Sequence, residues 1–422
     1  MLSLQTELSP TAPEPRVVRI ERVVGLWIVA AMITAVQISF VLYWAKHHEP
    51  VYDKYVSLVQ HDSEWYAHIM DNGYLLYHFP LETQGNIMAH VGFFPGYPFA
   101  SWLFQLMTGA TTTFSLLITA QLFTIGVWAY LLLFLNRYKV QWKLRNIAIL
   151  AIFAFPSSFF FIAGYSESLF TFSLLGYLYW ITDDRPYSWV FASMHGFVMS
   201  ATRIVGIPLL VFPILRHILR TWRLPTHIQP YAIALFTGLG AGSFFLYCQG
   251  AFGEWNIYSH AQSFGWGIKP DMQAIFKPEI YKIVMPLTSW DGFVDPDGVS
   301  RLSVPLIFGF AMIVLACEIA TIIRNPRDPS KIDHILICAA AGGLFFVTVS
   351  GLEAVKMRSV IRYMLPPYIL LIIVAASMLS EFRHWNSWKV RILWGVFSVG
   401  IALMFFVQAG HIDLFSHRAW VA

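Results

Sequence analysis

The sequence predicts an all-α polytopic membrane protein, and its composition and its long apolar runs are the reasons. Of 422 residues, 57% are hydrophobic and only 12% are charged, whereas soluble domains carry about 25% charged residues. Several windows exceed the roughly 18 apolar residues that mark a spanning helix, and helices satisfy their own backbone polar groups in lipid. We therefore expect a cytoplasmic N-terminal tail, residues 1–22, followed by a single transmembrane domain, residues 23–422.

Positive charges between the apolar runs predict the topology. Membrane proteins keep Lys- and Arg-rich loops on the cytoplasmic side. Five such clusters begin here at Arg16, Arg137, Arg216, Arg324 and Arg383, and one threading places all of them inside. The net charge of +4 is spread over these short clusters, a distribution typical of cytoplasmic loops and not of a nucleic-acid surface. No nucleic-acid partner is expected.

This topology requires that two apolar segments do not cross the membrane as single helices. Residues 92–108 must stay on the outer side as a partly embedded hairpin, and Pro95 and Pro98 favour such an interrupted element. Residues 188–215 must form two short helices that turn near Thr202-Arg203. Loops 45–112 and 252–300 then lie on the outer face, the first with juxtamembrane helices. The predicted spans, about eleven with an outer C-terminus, are 23–44, 113–135, 146–163, 167–182, 188–202, 204–220, 229–251, 301–323, 333–350, 363–380 and 390–411.

An acidic, aromatic-rich stretch follows the first span directly. It reads His61-Asp-Ser-Glu-Trp-Tyr66, and carboxylates this close to lipid are costly unless they face water or a partner. The apolar spacing predicts a short amphipathic helix over 63–72 with Asp62 at its N-cap. Capping is a sufficient role for an aspartate, so the residues alone leave Asp62 either as a cap or as a functional acid.

The motifs around this stretch resemble the PIG-V family of GPI mannosyltransferase II and its bacterial relatives. The matching residues are Asp62-x-x-Trp-Tyr66 with Gly73-Tyr74, then Phe93-Phe-Pro-x-Tyr-Pro98. The family belongs to the GT-C class, so the resemblance implies a GT-C glycosyltransferase-like helical bundle. Departures are His61, where many relatives have Trp, and Ile204-Val-Gly206, where relatives often have Ser/Pro-Asn-Gly. Further motifs match in order over residues 20–422: Pro156-Ser-Ser-Phe-Phe160, Tyr165-Ser-Glu-Ser-Leu-Phe170, Thr202-Arg203, Phe252-Gly253, Gln262, Trp266, Arg362-Tyr363-x-x-Pro366 and Trp420-Val-Ala422.

The resemblance implies an inverting transfer of mannose, or a related hexose, from a polyprenyl-phosphate donor to a lipid-linked or glycan acceptor at the outer face. Asp62 would be the general base that takes the proton of the acceptor hydroxyl. The departing phosphate needs fixed positive charge, and Arg203 and Arg362 are predicted to supply that charge. Lys356 and Arg358 either contribute from the same loop or extend to lipid headgroups.

The remaining predicted site residues have open alternatives. Glu167 either caps a helix, binds sugar hydroxyls or orients an arginine. Glu64 either substitutes as base or lies on a solvated helix face. Gln262, Trp266 and Trp420 either bind sugar or, for the two tryptophans, belong to an interfacial aromatic belt. The other side chains expected to contact sugar or acceptor, or to support those that do, are His61, Trp65, Tyr66, Tyr165 and Tyr363.

The sequence leaves two alternative classes of function open. A transporter or flippase of a lipid-linked sugar would need polar groups near the mid-membrane in both halves, but here they concentrate at one face, with His195 and Glu318 as exceptions. A non-catalytic subunit of a glycolipid-assembly complex is a third class. No metal-ligand spacing is present; no cofactor is firmly implied and a divalent metal stays open. Membrane lipids are expected partners, protein partners are unknown, and a bacterial plasma membrane is favoured over the endoplasmic reticulum.

Overall fold

The structure is a computed structural model, and it describes residues 16–46, 48–75, 90–282, 295–324, 329–357, 359–381 and 388–421. These residues form helices and connecting loops, and no strand occurs among them. Most of the predicted tail, residues 1–15, lies outside the described residues. The first helix begins at Arg16, inside the tail that the sequence predicted to extend to residue 22.

The α-helices of the described residues are numbered here in chain order. In chain order they are α1 (Arg16–Trp44), α2 (Val51–Val56), α3 (Asp62–Asn72), α4 (Gly96–Thr108), α5 (Thr112–Arg137), α6 (Trp142–Ala154), α7 (Glu167–Ile181), α8 (Ser188–Thr202), α9 (Phe212–Thr221), α10 (Gln229–Phe252), α11 (Ile257–His260), α12 (Pro296–Arg324), α13 (Pro329–Leu352), α14 (Val360–Tyr363), α15 (Leu365–Glu381) and α16 (Trp388–Ser416).

Eight helical stretches of the described chain are long and apolar enough to cross a membrane. The protein is therefore an integral, multi-pass membrane protein. Three further predicted spans correspond to α6, α7 and α8, which have 13, 15 and 15 residues and are shorter than a usual span. The longest helices expose apolar side chains outward, as Met32 and Val36 of α1 do, whereas α7 is buried within the bundle.

The helix ends form two opposite faces. On one, Arg137 at the end of α5 lies 2.9 Å from Asp183, which follows α7. Arg220 at the end of α9 pairs with Asp333 at the start of α13, at 3.2 Å. Lys331 pairs with Glu381 at the end of α15. We call this end of the bundle the Arg137 face; it carries described members of three of the predicted basic clusters. The opposite end is the Asp62 face.

The predicted break within residues 188–215 is present, whereas residues 92–108 do not form the predicted hairpin. The chain breaks at Arg203, which is extended (φ −151°, ψ 137°) between α8 and a 3-10 helix, Ile204–Val211. Pro208 explains the 3-10 form, because a proline inside an α-helix removes a backbone donor and clashes with the preceding turn. Residues 96–108 instead form one continuous helix, α4, and both of its ends lie at the Asp62 face. Gln105 donates a hydrogen bond to Thr112 at the start of α5, and Gly96 lies against Thr202 at the end of α8.

Helices α8 and α10 pack closely because small residues line their contact. A Cβ atom placed on Gly240 would overlap the carbonyl oxygen of Phe197 and the hydroxyl of Ser200. The Ser200 hydroxyl donates to the carbonyl of Thr237 across the same contact. Small residues let helix backbones approach in this way in membranes. This contact holds α8, and thus Arg203 at its end, in place.

Gly240→Ala is therefore expected to destabilise the protein by about 1–3 kcal/mol, as overpacking does in a tight contact. The matched control is Gly242→Ala on the same helix, where a Cβ would meet nothing within 4 Å. Thermal unfolding of both variants in the same detergent measures the difference. Equal melting temperatures for the two variants would contradict the close α8–α10 contact.

Candidate active site

An unusual turn at the start of α3 positions Asp62. The Ser63 amide donates to the Gln60 carbonyl at 3.1 Å, which closes a β-turn with His61 at its second position. His61 has φ 55° and ψ −114°, close to the about +60°, −120° of the type II′ turn, where glycine is usual. A non-glycine residue in such a region is strained by about 1–3 kcal/mol. Helix α3 begins immediately afterwards, at Asp62.

The prediction that Asp62 is the N-cap of this helix is wrong. The helix begins at Asp62 itself, so His61 occupies the cap position, and its side chain makes no capping hydrogen bond. The Asp62 carboxylate is engaged elsewhere: its Oδ2 lies 2.7 Å from Nη1 of Arg362. Arg362 belongs to the short helix α14, on a different part of the Asp62 face.

Asp62, Glu167, Arg203 and Arg362 together form what we call the carboxylate–arginine cluster. Oε1 of Glu167 accepts a hydrogen bond from Nη1 of Arg203 at 2.6 Å, and lies 3.1 Å from Nε of Arg362. One carboxylate oxygen thus holds two guanidinium groups beside each other. The side chains are 13%, 2%, 14% and 5% exposed in the order given, so solvent screens these charges little.

Several polar atoms of the cluster have unused bonding capacity. Nε and Nη1 of Arg362 are close enough to the carboxylates to form ion pairs, but their N–H groups make no hydrogen bond within the described residues. Oε2 of Glu167 is buried and also makes none there. Buried polar groups are nearly always hydrogen-bonded. Guanidinium N–H groups in this condition are suited to an anionic ligand.

Aromatic rings enclose the two arginines. The ring of Tyr363 lies 4.4 Å from Cζ of Arg203, and its hydroxyl accepts a hydrogen bond from Nη2 of Arg362 at 3.0 Å. The ring of Tyr165 lies 5.2 Å from Cζ of Arg362. Such contacts fix a guanidinium in place. A narrow cleft continues from the arginines between apolar side chains that include Val205 and Leu344.

Tyr66 and Tyr165 support the cluster and are not bases. The Tyr66 hydroxyl donates to Ser166 at 3.0 Å, and the Tyr165 hydroxyl donates to the Gln60 carbonyl at 3.0 Å. Burial, and then the negative charges of Asp62 and Glu167, raise the pKa of Tyr66 above its ordinary value. It therefore stays a neutral phenol. The Tyr165 bond fixes the turn that precedes Asp62.

The loops at the Asp62 face bring a second group of predicted residues together, beside α3. The Trp65 ring stacks on Phe93 at 5.9 Å and meets the edge of Trp266 at the same centroid distance. Gln262 donates to the Gly92 carbonyl at 2.7 Å, and a Cβ on Gly92 would come within 2.5 Å of Trp266. These side chains pack the loop after α10 against the residues before α4. Their predicted sugar contacts remain a proposal.

The remaining predicted residues lie at the edge of the cluster or beyond it. Glu64 is half exposed and pairs with Arg418. Lys356 is exposed, in a left-handed conformation, and is not among the contacts of the cluster. Arg358 lies outside the described residues. Trp420 is 46% exposed, and its ring meets that of His61 at 5.0 Å.

Comparisons with known proteins support the fold through structure alone. No protein-family model matches the sequence, and no curated protein does. The crystal structure of ArnT from Cupriavidus metallidurans bound to undecaprenyl phosphate is similar over 92% of this chain, with 13% identity and a TM-score of 0.50. The fold is GT-C-like. The chain spans 64% of the length of ArnT.

Two structures of an archaeal oligosaccharyltransferase from Archaeoglobus fulgidus also align with this GT-C-like chain. AglB in complex with an inhibitory peptide and a dolichol-phosphate gives 10% identity and a TM-score of 0.49, over 94% of this chain and 56% of AglB. The apo form gives 11% identity and a TM-score of 0.47, with the same coverage.

Sequence reasoning missed several residues around the carboxylate–arginine cluster. Gln60 and Ser166 hold the turn and Tyr66, and Arg418 engages Glu64. Polar residues of this kind carry no local pattern. Gly96 did offer a signal within the Phe-Phe-Pro motif: a Cβ there would lie 2.6 Å from the Thr202 hydroxyl, and glycine permits such an approach.

The part of the GT-C-like chain that the structure describes contains no group of three or more His, Cys, Asp or Glu side chains that could hold a metal ion. The two carboxylates of the cluster, Asp62 and Glu167, form ion pairs with arginines instead. The described site therefore offers cationic groups to a ligand.

Glu167→Gln is expected to destabilise the GT-C-like fold by about 3–5 kcal/mol, because removing one member of a buried ion pair leaves its partners uncompensated. Both Arg203 and Arg362 lose their shared carboxylate. Glu64→Gln is the control, since its pair with Arg418 is exposed and such pairs contribute at most about 1 kcal/mol. Thermal unfolding in one detergent compares them. A Glu167 variant as stable as the control would mean that this carboxylate does not organise the arginines.

Proposed function

We propose that this protein is an inverting glycosyltransferase that moves mannose, or a related hexose, from a polyprenyl-phosphate donor to a lipid-linked or glycan acceptor. The observation that carries the proposal is the pairing of Asp62 with Arg362 beside Arg203 at one end of a GT-C-like bundle. One group that takes a proton and two groups that bind phosphate are thereby adjacent. These are the groups that the reaction needs.

Three members of the cluster have a chemical role in this reaction. The Asp62 carboxylate removes the proton of the acceptor hydroxyl as that oxygen attacks the anomeric carbon. The bond from the anomeric carbon to the phosphate oxygen breaks through an oxocarbenium-like centre, and its electron pair leaves with the lipid phosphate. Arg203 and Arg362 neutralise the charge that develops there. The phosphate departs without a proton, so one carboxylate base suffices.

Two lines of support bear on the donor. ArnT, whose fold this chain shares, is bound to undecaprenyl phosphate, which supports a polyprenyl-phosphate carrier. The resemblance of the Asp62 and Phe93 motifs to the PIG-V family supports mannose.

The topology supports an outward-facing site. The Arg137 face carries the basic residues Arg137, Arg220 and Lys331, and cytoplasmic loops are enriched in such residues. The cluster lies at the opposite end. We place the reaction at the outer face of a bacterial plasma membrane.

The proposal is tested with purified protein in liposomes, radiolabelled polyprenyl-phosphate mannose and membrane glycolipids. Label should move to the acceptor fraction, one polyprenyl phosphate should be released per sugar transferred, and the new linkage should have the anomeric configuration opposite to that of the donor. GDP-mannose without a carrier lipid is the control donor. Transfer from GDP-mannose at the same rate would show that the donor class is wrong.

A further inference from the structure

The residues that follow α16 lie against the turn that carries Asp62. We call residues 417–421 the C-terminal segment. The Ala419 carbonyl is 3.3 Å from Nε2 of His61, and the rings of Trp420 and His61 meet edge to face at 5.0 Å. Val421 is 2% exposed, in an apolar cluster that includes Leu58. The segment thus contacts the turn itself and, through Val421, the apolar cluster that contains Leu58 before it.

The end of α16 adds contacts to the same turn. The Gln60 side chain donates to the Ser416 carbonyl at 3.2 Å, and the Ser416 hydroxyl accepts from the Lys46 amide at 2.9 Å. The Phe415 ring lies 5.7 Å from the His61 ring. The turn between α2 and α3 is therefore enclosed by residues that are more than 350 positions away in the sequence.

His61 has the backbone conformation that this enclosure must maintain. Its positive φ belongs to a turn position at which glycine is usual, so an isolated His-Asp turn would relax to another conformation. The next residue is Asp62, the first residue of α3, and its position depends directly on the ψ angle of His61. A strained residue beside a site points to a functional constraint on the backbone.

We infer that the C-terminal segment is a clamp: through His61 it holds the turn in its strained conformation and so fixes the Asp62 carboxylate against Arg362. His61 and Trp420 are positioning residues in this arrangement. The inference rests on the proposed function for its kinetic readout. It differs from the sequence-based expectation that these two side chains contact sugar, because it assigns their ring contact to the backbone conformation of the turn.

The kinetic test compares four changes: Trp420→Ala, His61→Ala, His61→Gly and the double variant His61→Gly/Trp420→Ala. Loss of the clamp should lower kcat on the order of 10–100-fold with little change in the KM of donor or acceptor, because a displacement of about 1 Å can reduce rates by 10²-fold. His61→Gly removes the same ring as His61→Ala but adopts the turn without strain, so it should retain at least about fivefold more activity.

The double variant separates the clamp from sugar binding. If Trp420 acts through the turn, glycine at position 61 should restore most of the activity that Trp420→Ala loses. If Trp420 binds sugar, glycine cannot restore it, and Trp420→Ala should raise the KM of the acceptor instead. That second pattern would overturn the inference. Trp222→Ala is the control, because this tryptophan is 85% exposed and follows α9 at the Arg137 face.

Amide hydrogen exchange tests the clamp without any assay of transfer. In detergent, Trp420→Ala should increase exchange about tenfold or more in the peptide that contains residues 61–66, and Trp222→Ala should leave it unchanged. Unchanged exchange in the Trp420 variant would contradict the clamp even if the enzyme assay succeeds. Increased exchange in a protein that transfers no sugar would support the clamp and reject the proposed function.

Discussion

Asp62→Asn should abolish most sugar transfer, with a fall in kcat on the order of 10²–10⁴-fold, the usual contribution of a positioned general base. Asparagine has nearly the same shape, but its uncharged amide cannot take the proton of the acceptor hydroxyl. Initial rates with labelled polyprenyl-phosphate mannose measure the effect. Donor binding should be retained, because the two arginines remain.

Glu64→Gln is the matched control for this experiment. Glu64 lies two residues further along α3, but it is half exposed and pairs with Arg418. Its variant should retain wild-type transfer within about threefold, as surface charges contribute little. If Asp62→Asn keeps full activity while Glu64→Gln loses it, the base is Glu64. If both retain it, neither carboxylate is the base.

Arg362→Lys should lower kcat on the order of 10²–10³-fold, the range seen when one preorganised donor is removed from a developing charge. Lysine keeps the positive charge but lacks the planar fork that contacts Asp62, Glu167 and Tyr363 together. Arg362→Ala should also destabilise the fold by about 3–5 kcal/mol, because two buried carboxylates lose their shared partner. The lysine variant therefore gives the cleaner kinetic result.

Lys277→Ala is the control for charge at the same end of the molecule. Lys277 pairs with Asp271 and Glu353 at the Asp62 face, but it is 39% exposed. Its loss should leave transfer unchanged. Donor affinity measured by displacement of labelled polyprenyl phosphate should fall for Arg362→Lys only. An Arg362→Lys enzyme with wild-type kcat and donor affinity would exclude this guanidinium from phosphate binding.

The helices and the break at Arg203 were predictable because their causes are local in sequence. Apolar length, the positions of basic residues and Pro208 lie in the segments that they shape. The clearest case is the division of residues 188–215 at Arg203. The GT-C-like fold followed from the resemblance, since composition alone fixes only a helical membrane protein.

The pairing within the site was not predictable in the same way. The sequence marks Asp62 and Arg362 separately as candidate site residues. No local pattern predicts that Oδ2 of Asp62 lies 2.7 Å from Nη1 of Arg362. Among the three roles left open for Glu167, the contacts with Arg203 and Arg362 match the orientation of an arginine. Nothing local in the sequence predicts the conformation of His61, because tertiary contacts stabilise a histidine in a turn position that usually holds glycine.

The ion pair between Asp62 and Arg362 has a consequence for the order of events in the proposed catalytic cycle. The cluster contains two carboxylates and two guanidiniums, so its charges balance and Arg362 occupies the Asp62 carboxylate. In the proposed function, a phosphate that binds both guanidiniums competes with the two carboxylates for their positive charge and so weakens the ion pair between Arg362 and Asp62. The carboxylate then becomes available to a hydroxyl only after the donor has arrived. Such an enzyme would load its donor first and remain inactive toward acceptor alone.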